Sequence, residues 1–256
     1  MFSRRLLKAG MSSLARLDPV QEALLTEPCI LVSPEDKVLG SASKRECHLV
    51  QDGSSPLHRA FSLFVFNSKS ELLLQQRSDT KITFPGLWTN TCCSHPLATA
   101  QEMEETDQLG VRAAAQRRLE LELGVPHSEA PVPDIKFITR ILYEAPSNDC
   151  WAEHELDYIL FLQAQDGLTI APSKDEVQDT EWVGRHHLAD FLRDLESRNV
   201  GITPWFKLCT EVTTNTSLSI EPSPNNSLFQ KLLPVWWENL DKLEAIRDTE
   251  TIHRFY

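Results

Sequence analysis

Residues 107–124 read DQLGVRAAAQRRLELELG, and the rest of the chain can be read outward from them. Alanines and leucines recur there at helical spacing, and Gly124 stands where a helix closes on a left-handed residue. The stretch predicts one central amphipathic helix. On either side lie short apolar runs rich in branched and aromatic residues, the composition of strands. CILVS (29–33) precedes the turn-forming PEDK, and HRAFSLFVF (58–66) and ELLLQQR (71–77) flank the polar NSKS as a β-hairpin would. DIKFITRILYEA (134–145) and WAEHELDYILFLQA (151–164) predict two further strands. EWVGRHHLADFLRDL (181–195) reads as a strand end and then a helix. SLFQKLLPVWWENLDKLEAI (227–246) reads as a terminal helix with Pro234 near a kink or its start. That order specifies a single mixed α/β domain, expected over residues 26–256.

The chain of 256 residues is long enough to bury a sizeable core, and its 41% hydrophobic and 24% charged residues are those of an ordinary globular protein. No apolar run is long enough to cross a bilayer, so no membrane partner is expected. The net charge of −12 argues against nucleic acid as a partner, although a few local cations can still hold a small anion. Six cysteines without a secretory signal or C-x2-C spacing predict reduced thiols, with neither disulfides nor structural zinc. Residues 1–25 are expected to form a flexible extension. Its first seventeen residues hold Arg4, Arg5, Lys8 and Arg16 and no acid, as in a mitochondrial presequence, though an ordinary N-terminal helix has that pattern too. TEVTTNTSLSIEPSPNNS (210–227) is polar and without period, and predicts a loop insertion.

Several residue groups can carry chemistry. Glu153 and Glu155 are two apart on a strand, so both carboxylates point the same way and need a cation or a shared proton to coexist. A solvated acidic face has the same spacing. His48, His58 and His95 come from separate segments; joined to the glutamates they would make a set suited to Mg, Mn or Zn. Arg118 and Glu122 are four apart on the helix, the spacing of a surface ion pair worth about 0.3–0.5 kcal/mol. Lys44, Arg77 and Lys81 are scattered cations, and Tyr143, Trp151 and Trp205 have the character of core residues. In TNTCCSHPL (89–97), alternation along an extended segment aims Cys93 and His95 the same way, yet Cys93 taken alone reads better as a small buried residue in a tight loop.

PLHRAFSLFVFN (56–67), LLLQQRSDTKITFPGLWTNTCCSHP (72–96), RRLELELGV (117–125), WAEHELDY (151–158) and ITPWF (202–206), in that order, resemble the type I isopentenyl-diphosphate Δ-isomerases, a branch of the Nudix superfamily. The resemblance runs from about residue 28 to the end, apart from 210–227. It implies an α/β (α+β) fold: a Nudix-like mixed sheet flanked by helices, with additional C-terminal helices. A Nudix hydrolase box reads R-E-U-x-E-E-x-G-U, U being aliphatic. Here Arg118 stands for the first glutamate and Leu121 for one of the later pair, so the water-activating metal site of a hydrolase is not retained.

By that resemblance His48, His58, His95, Glu153 and Glu155 hold a divalent ion (Mg, Mn or Zn). Glu122 reaches a second Mg²⁺ carried with the substrate diphosphate. Lys44, Arg77, Lys81 and Arg118 surround the diphosphate, Arg by its fork and Lys as a point charge. Cys93, not Cys92, is the catalytic cysteine; Glu155 is the catalytic glutamate, supported by Tyr143; and Trp205 faces the hydrocarbon. The implied reaction converts isopentenyl to dimethylallyl diphosphate by protonation at the terminal alkene and loss of a proton from C2, a 1,3-allylic shift of isoprenoid and sterol biosynthesis. The π face of Trp205 can stabilise the cationic intermediate. Small-molecule partners, a monomer and a cytoplasmic location are expected. Relatives are also peroxisomal, but TIHRFY is a poor peroxisomal ending, and residues 1–17 leave mitochondria open. A diphosphate hydrolase and a non-catalytic Nudix-fold binding module are the competing readings. The adjacent Cys92 and Cys93 also raise a vicinal disulfide, a strained bond.

Overall fold

Strand β3 organises the molecule. In the computed structural model, residues 18–210 and 232–255 are described. In chain order the elements are α1 (Pro19–Leu24), β1 (Pro28–Val32), β2 (Val38–Ser43), α2 (Lys44–His48), β3 (His58–Phe66), β4 (Glu71–Arg77), β5 (Trp88–Thr89) and β6 (Cys92–Ser94). They continue with α3 (Leu109–Leu123), β7 (Lys136–Pro146), β8 (Ala152–Gln163), β9 (Val177–Gly184), α4 (Leu188–Ser197), α5 (Pro204–Cys209), α6 (Leu232–Glu238), α7 (Leu243–Ile246) and β10 (Ile252–Phe255). All nine residues of β3 are buried. It pairs in parallel with β8, from His58 opposite Glu155 to Phe66 opposite Gln163.

The expected hairpin of β3 and β4 forms, but the two strands touch in register only at Phe66 and Leu72 and then part. β4 turns to pair with β9 and β5, while β3 stays with β8 and takes β6 along Phe61–Leu63. The splayed sheet runs β10-β7-β8-β3-β1-β2 with β4, β5, β6 and β9 branching from it. Because side chains alternate along a strand, each face builds its own core. Phe61, Leu63 and Val65 pack with Val111, Ala115 and Leu119 of α3. Phe64, Phe66 and Phe161 pack on the other face with Leu192, Phe206, Trp236 and Trp237 of the later helices. The mixed sheet between helices and the additional C-terminal helices agree with the sequence reading.

Local differences have local causes. The 1–25 extension is in part ordered: Asp18 caps α1 through the amides of Val20 and Gln21, and Gln21 is buried. Residues 1–17 and all of 210–227 except Thr210 lie outside the described residues. The central helix starts at Leu109, after left-handed Asp107 and Gln108, and ends at Gly124 with φ 67°. It is not amphipathic in the expected sense, because Arg118 and Glu122 lie on its buried face and Leu121 on its exposed one. Where one helix was expected over 227–246, α6 stops at Glu238, a 3₁₀ turn spans Leu240–Lys242, and α7 follows. Pro234 lies within α6, two residues after Leu232. β2, α2 and β10 were not anticipated.

Candidate active site: a histidine–glutamate cluster at the mouth of the splayed sheet

α2 shows how the site begins. Ser43 and Glu46 form a capping box, with the Glu46 amide 3.3 Å from Ser43 Oγ and the Ser43 amide 2.9 Å from Glu46 Oε2. This short, firmly started helix carries Lys44 and His48 one turn apart. β3 contributes His58, the segment after β6 contributes His95, and β8 contributes Glu153 and Glu155. The ligand atoms of all five lie within 4.8 Å of one another, and the three imidazole centroids are 4.8–4.9 Å apart. Every member is buried, which rules out a solvated acidic face.

The tautomers decide what this cluster wants. His48 Nδ1 lies 2.7 Å from the Lys44 carbonyl and His58 Nδ1 2.9 Å from that of Pro56. A carbonyl only accepts, so each Nδ1 carries the hydrogen and each neutral ring turns the bare Nε2 inward. There His48 Nε2 meets Glu153 Oε2 at 2.9 Å and His58 Nε2 meets Glu155 Oε1 at 3.6 Å. His48 Nε2, His58 Nε2 and Glu153 Oε2 have no hydrogen-bond partner. Lone pairs facing lone pairs in a buried site repel unless a cation stands among them, so the residues fit a divalent ion. A proton is the alternative: burial opposes it, but the Glu155 carboxylate prevails and raises His58 to about 9. His95, buried beside the other two rings, is pushed well below its ordinary value. Burial would raise Glu155, yet the histidines bring it down to about 2.

The cleft over this cluster is lined by Lys44, Arg77, Lys81, Cys93, Trp205 and the members His48, His95, Glu153 and Glu155. Tyr143 lies beneath it and donates to Glu155 Oε2 at 2.5 Å; burial, then the Glu155 charge, push its hydroxyl well up. Cys93 and Cys92 point to opposite faces, Cys93 against the core of the later helices and Cys92 into the core under α3. Their side chains therefore do not meet as a vicinal disulfide would require. Burial, then the charge of Asp157, raises the Cys93 thiol to about 12. Trp205 Nε1 donates to Cys93 Sγ at 3.0 Å, and its ring carries the Arg77 guanidinium at 5.5 Å.

Not every expected residue reaches the cleft directly. Arg118 and Glu122 lie buried behind it, joined at 2.6 Å, so theirs is no surface ion pair. Burial opposes the Arg118 charge, but Glu122 and Glu176 outweigh it and raise its pKa. Arg77 already donates to the carbonyls of Phe84 (3.0 Å) and Thr83 (2.7 Å).

Three residues here escaped the sequence reading. Asn90 Oδ1 accepts from Cys93 (2.9 Å), Thr89 (3.0 Å) and Trp205 (3.2 Å), fixing the thiol and the indole together. Asp157, buried on the same face of β8 as the two glutamates, accepts from Ser62 at 2.7 Å. Burial and Glu155 hold its carboxyl well above the usual range. Glu176 pairs with Lys81 and Arg118. Asp157 was findable by extending the two-residue period one step; Glu176 had no sequence signal.

The NUDIX domain model matches residues 56–206. The chain is 43% identical over 241 residues to "Isopentenyl-diphosphate Delta-isomerase 1" of Mesocricetus auratus, covering 94% of this chain and 97% of the relative. The chain belongs to the isopentenyl-diphosphate Δ-isomerase family. The isomerase of the same name from Bos taurus is 43% identical over 239 residues, covering 93% and 96%. "Isopentenyl-diphosphate Delta-isomerase I" of Clarkia breweri is 44% identical over 260 residues, covering 99% of this chain and 83% of its own. The buried histidine–glutamate set is compatible with a divalent cation, and no described helix is long and apolar enough to cross a membrane.

Proposed function

We infer that this chain interconverts isopentenyl and dimethylallyl diphosphate, with Cys93 on one side of the allyl unit and the Tyr143–Glu155 pair on the other. The observation that carries this reading is one cleft lined by the thiol, the Glu155 carboxyl and the Trp205 ring. Isomerisation needs one proton delivered and another removed. Two proton-exchanging groups at one hydrocarbon, with water shut out, are suited to that task. Trp205 presents π density where positive charge develops and cannot trap the cation as an oxygen nucleophile would.

His48, His58, His95, Glu153 and Glu155 would hold a divalent ion, and Glu122 would reach a Mg²⁺ carried with the diphosphate. When bound, these ions polarise the Glu155–Tyr143 pair and offset the diphosphate charge. Lys44, Arg77, Lys81 and Arg118 supply the remaining positive charge, and Asn90 aims Cys93. The hydrolase reading is disfavoured by α3, where Arg118 and Leu121 stand at two of the box's glutamate positions and Leu121 is exposed.

The test follows [1-¹³C]isopentenyl diphosphate by NMR with Mg²⁺. Wild type should yield dimethylallyl diphosphate, and Cys93→Ala, folded by circular dichroism, should lose on the order of 100-fold or more in rate. Free diphosphate in the wild-type spectrum would establish hydrolysis instead, and an unchanged spectrum would leave a binding module.

A further inference from the structure

Glu176, in the turn before β9, is a buried carboxylate that joins three elements distant in sequence. Oε2 accepts from Lys81 Nζ at 2.5 Å and Arg118 Nη2 at 3.0 Å, and Oε1 accepts from Gln21 Nε2 of α1 at 3.1 Å. Its carbonyl also accepts the Ser78 amide at 3.0 Å, which fixes the start of the segment carrying Lys81. The Lys81 and Arg118 side chains are 8% and 2% exposed. Two desolvated cations brought to one carboxylate oxygen repel each other, and without that oxygen they would turn apart or Lys81 would shed its proton. Burial already lowers Lys81, and Arg77 and Lys44 add to the effect, while Glu176 and then Glu122 oppose it. Glu176 itself does not line the cleft, whereas Lys81 and Gln21 do. Its effect on a ligand must therefore pass through them.

We propose that Glu176 is a positioning residue for diphosphate recognition: it gathers Lys81 and Arg118 into one fixed, charged arrangement and ties the α1 wall of the cleft to it through Gln21. This rests on the diphosphate reading above. Its chemistry runs against simple charge counting. A carboxylate near an anion site should weaken anion binding, so removing it should tighten the site; if its role is to hold the cations, removing it loosens the site.

The experiment measures steady-state kinetics on isopentenyl diphosphate with saturating Mg²⁺ for the full chain, Glu176→Gln and Glu176→Asp. Calorimetric titration with inorganic diphosphate and Mg²⁺ accompanies it. We expect Glu176→Gln to raise KM by about tenfold or more while kcat stays within about threefold, the signature of lost binding common to ground and transition states. Glu176→Asp, which keeps the charge on a shorter arm, should fall between, and diphosphate affinity should drop in step with KM. If Glu176→Gln does not fold, Glu176→Asp carries the same comparison. An unchanged or lower KM, or a loss confined to kcat and melting temperature, would overturn the proposal and leave Glu176 a structural brace. Wild type that converts no isopentenyl diphosphate would sink the isomerase reading instead, and that failure shows in the wild-type arm alone.

Discussion

Removing the cation from the histidine–glutamate cluster should destabilise the whole domain. His48 Nε2, His58 Nε2 and Glu153 Oε2 are buried and have no hydrogen-bond partner. A buried polar atom left unsatisfied costs about 1–3 kcal/mol, so a cation that satisfies all three contributes about 3–9 kcal/mol. At about 2–4 °C per kcal/mol for a domain of this size, even the low end is a fall of about 6 °C in Tm. The assay is thermal unfolding by tryptophan fluorescence before and after prolonged dialysis against a chelator, with metal content followed by mass spectrometry. Zn²⁺, Mn²⁺ and Mg²⁺ are then added back separately. Glu153→Gln, which removes one bare carboxylate oxygen from the cluster, should blunt the response. A melting midpoint that stays put while the metal signal disappears would refute the reasoning, because the three atoms would then have found other partners.

Gly110→Ala should lower Tm and loosen the histidine–glutamate cluster together. Its Cβ would stand 2.3 Å from the Glu102 carbonyl oxygen, a backbone atom that cannot swing aside. Glu102 in turn holds the Leu97 amide at 2.7 Å and Arg117 at 2.5 Å, beside His95; overpacking of this kind costs about 1–3 kcal/mol, readable by scanning fluorimetry. Asn90→Ala removes the shared acceptor of Cys93, Thr89 and Trp205. Since misplacing a reacting group by about 1 Å costs on the order of 100-fold, kcat should fall far more than KM rises in the NMR assay. Glu176 lies below the usual carboxylate range, because Lys81, Arg118 and Lys44 overcome its burial. The stability it contributes is therefore complete above about pH 4.3, the unfolded value, and is lost as pH falls through its lower folded value. In urea titrations the gap between wild type and Glu176→Gln should be flat from pH 8 to 5 and close in stronger acid; a gap that widens on acidification would contradict the assignment.

Most strands were legible because their period and composition are local, as in HRAFSLFVF and WAEHELDYILFLQA. The histidine–glutamate cluster was half legible. Glu153 and Glu155 announce a shared face by spacing, whereas His48, His58 and His95 meet only through the β3–β8 pairing and the α2 turn, and needed the family resemblance. β2 and β10 were missed because GSAS and TIHRFY carry no strong alternation. α2 was missed although Ser43 and Glu46 spell a capping box, since five residues are too few for a periodic signal. The terminal helix was drawn too long because LLPVWWENLDKLEAI keeps helical composition through Asn239, where the backbone leaves helical geometry. Burial of Arg118 was unreadable, because the carboxylate of Glu176 that accompanies Glu122 comes from a turn far along the chain.

The parallel union of β3 with β8 has a kinetic consequence. His58 and Glu155 face each other in that ladder, so the chain must close the loop through α3 and β7 before either residue meets the other. Such long-range closure is slow, and its entropy is lost before contacts repay it. A nascent or refolding chain thus holds its histidines and glutamates apart until late, and cation uptake should lag behind the first burial of tryptophan. During that interval β3, apolar over Leu63–Phe66, lacks its neighbour, and it is the segment most apt to pair wrongly with another chain. Refolding yield should therefore depend on protein concentration more steeply than on the supply of metal.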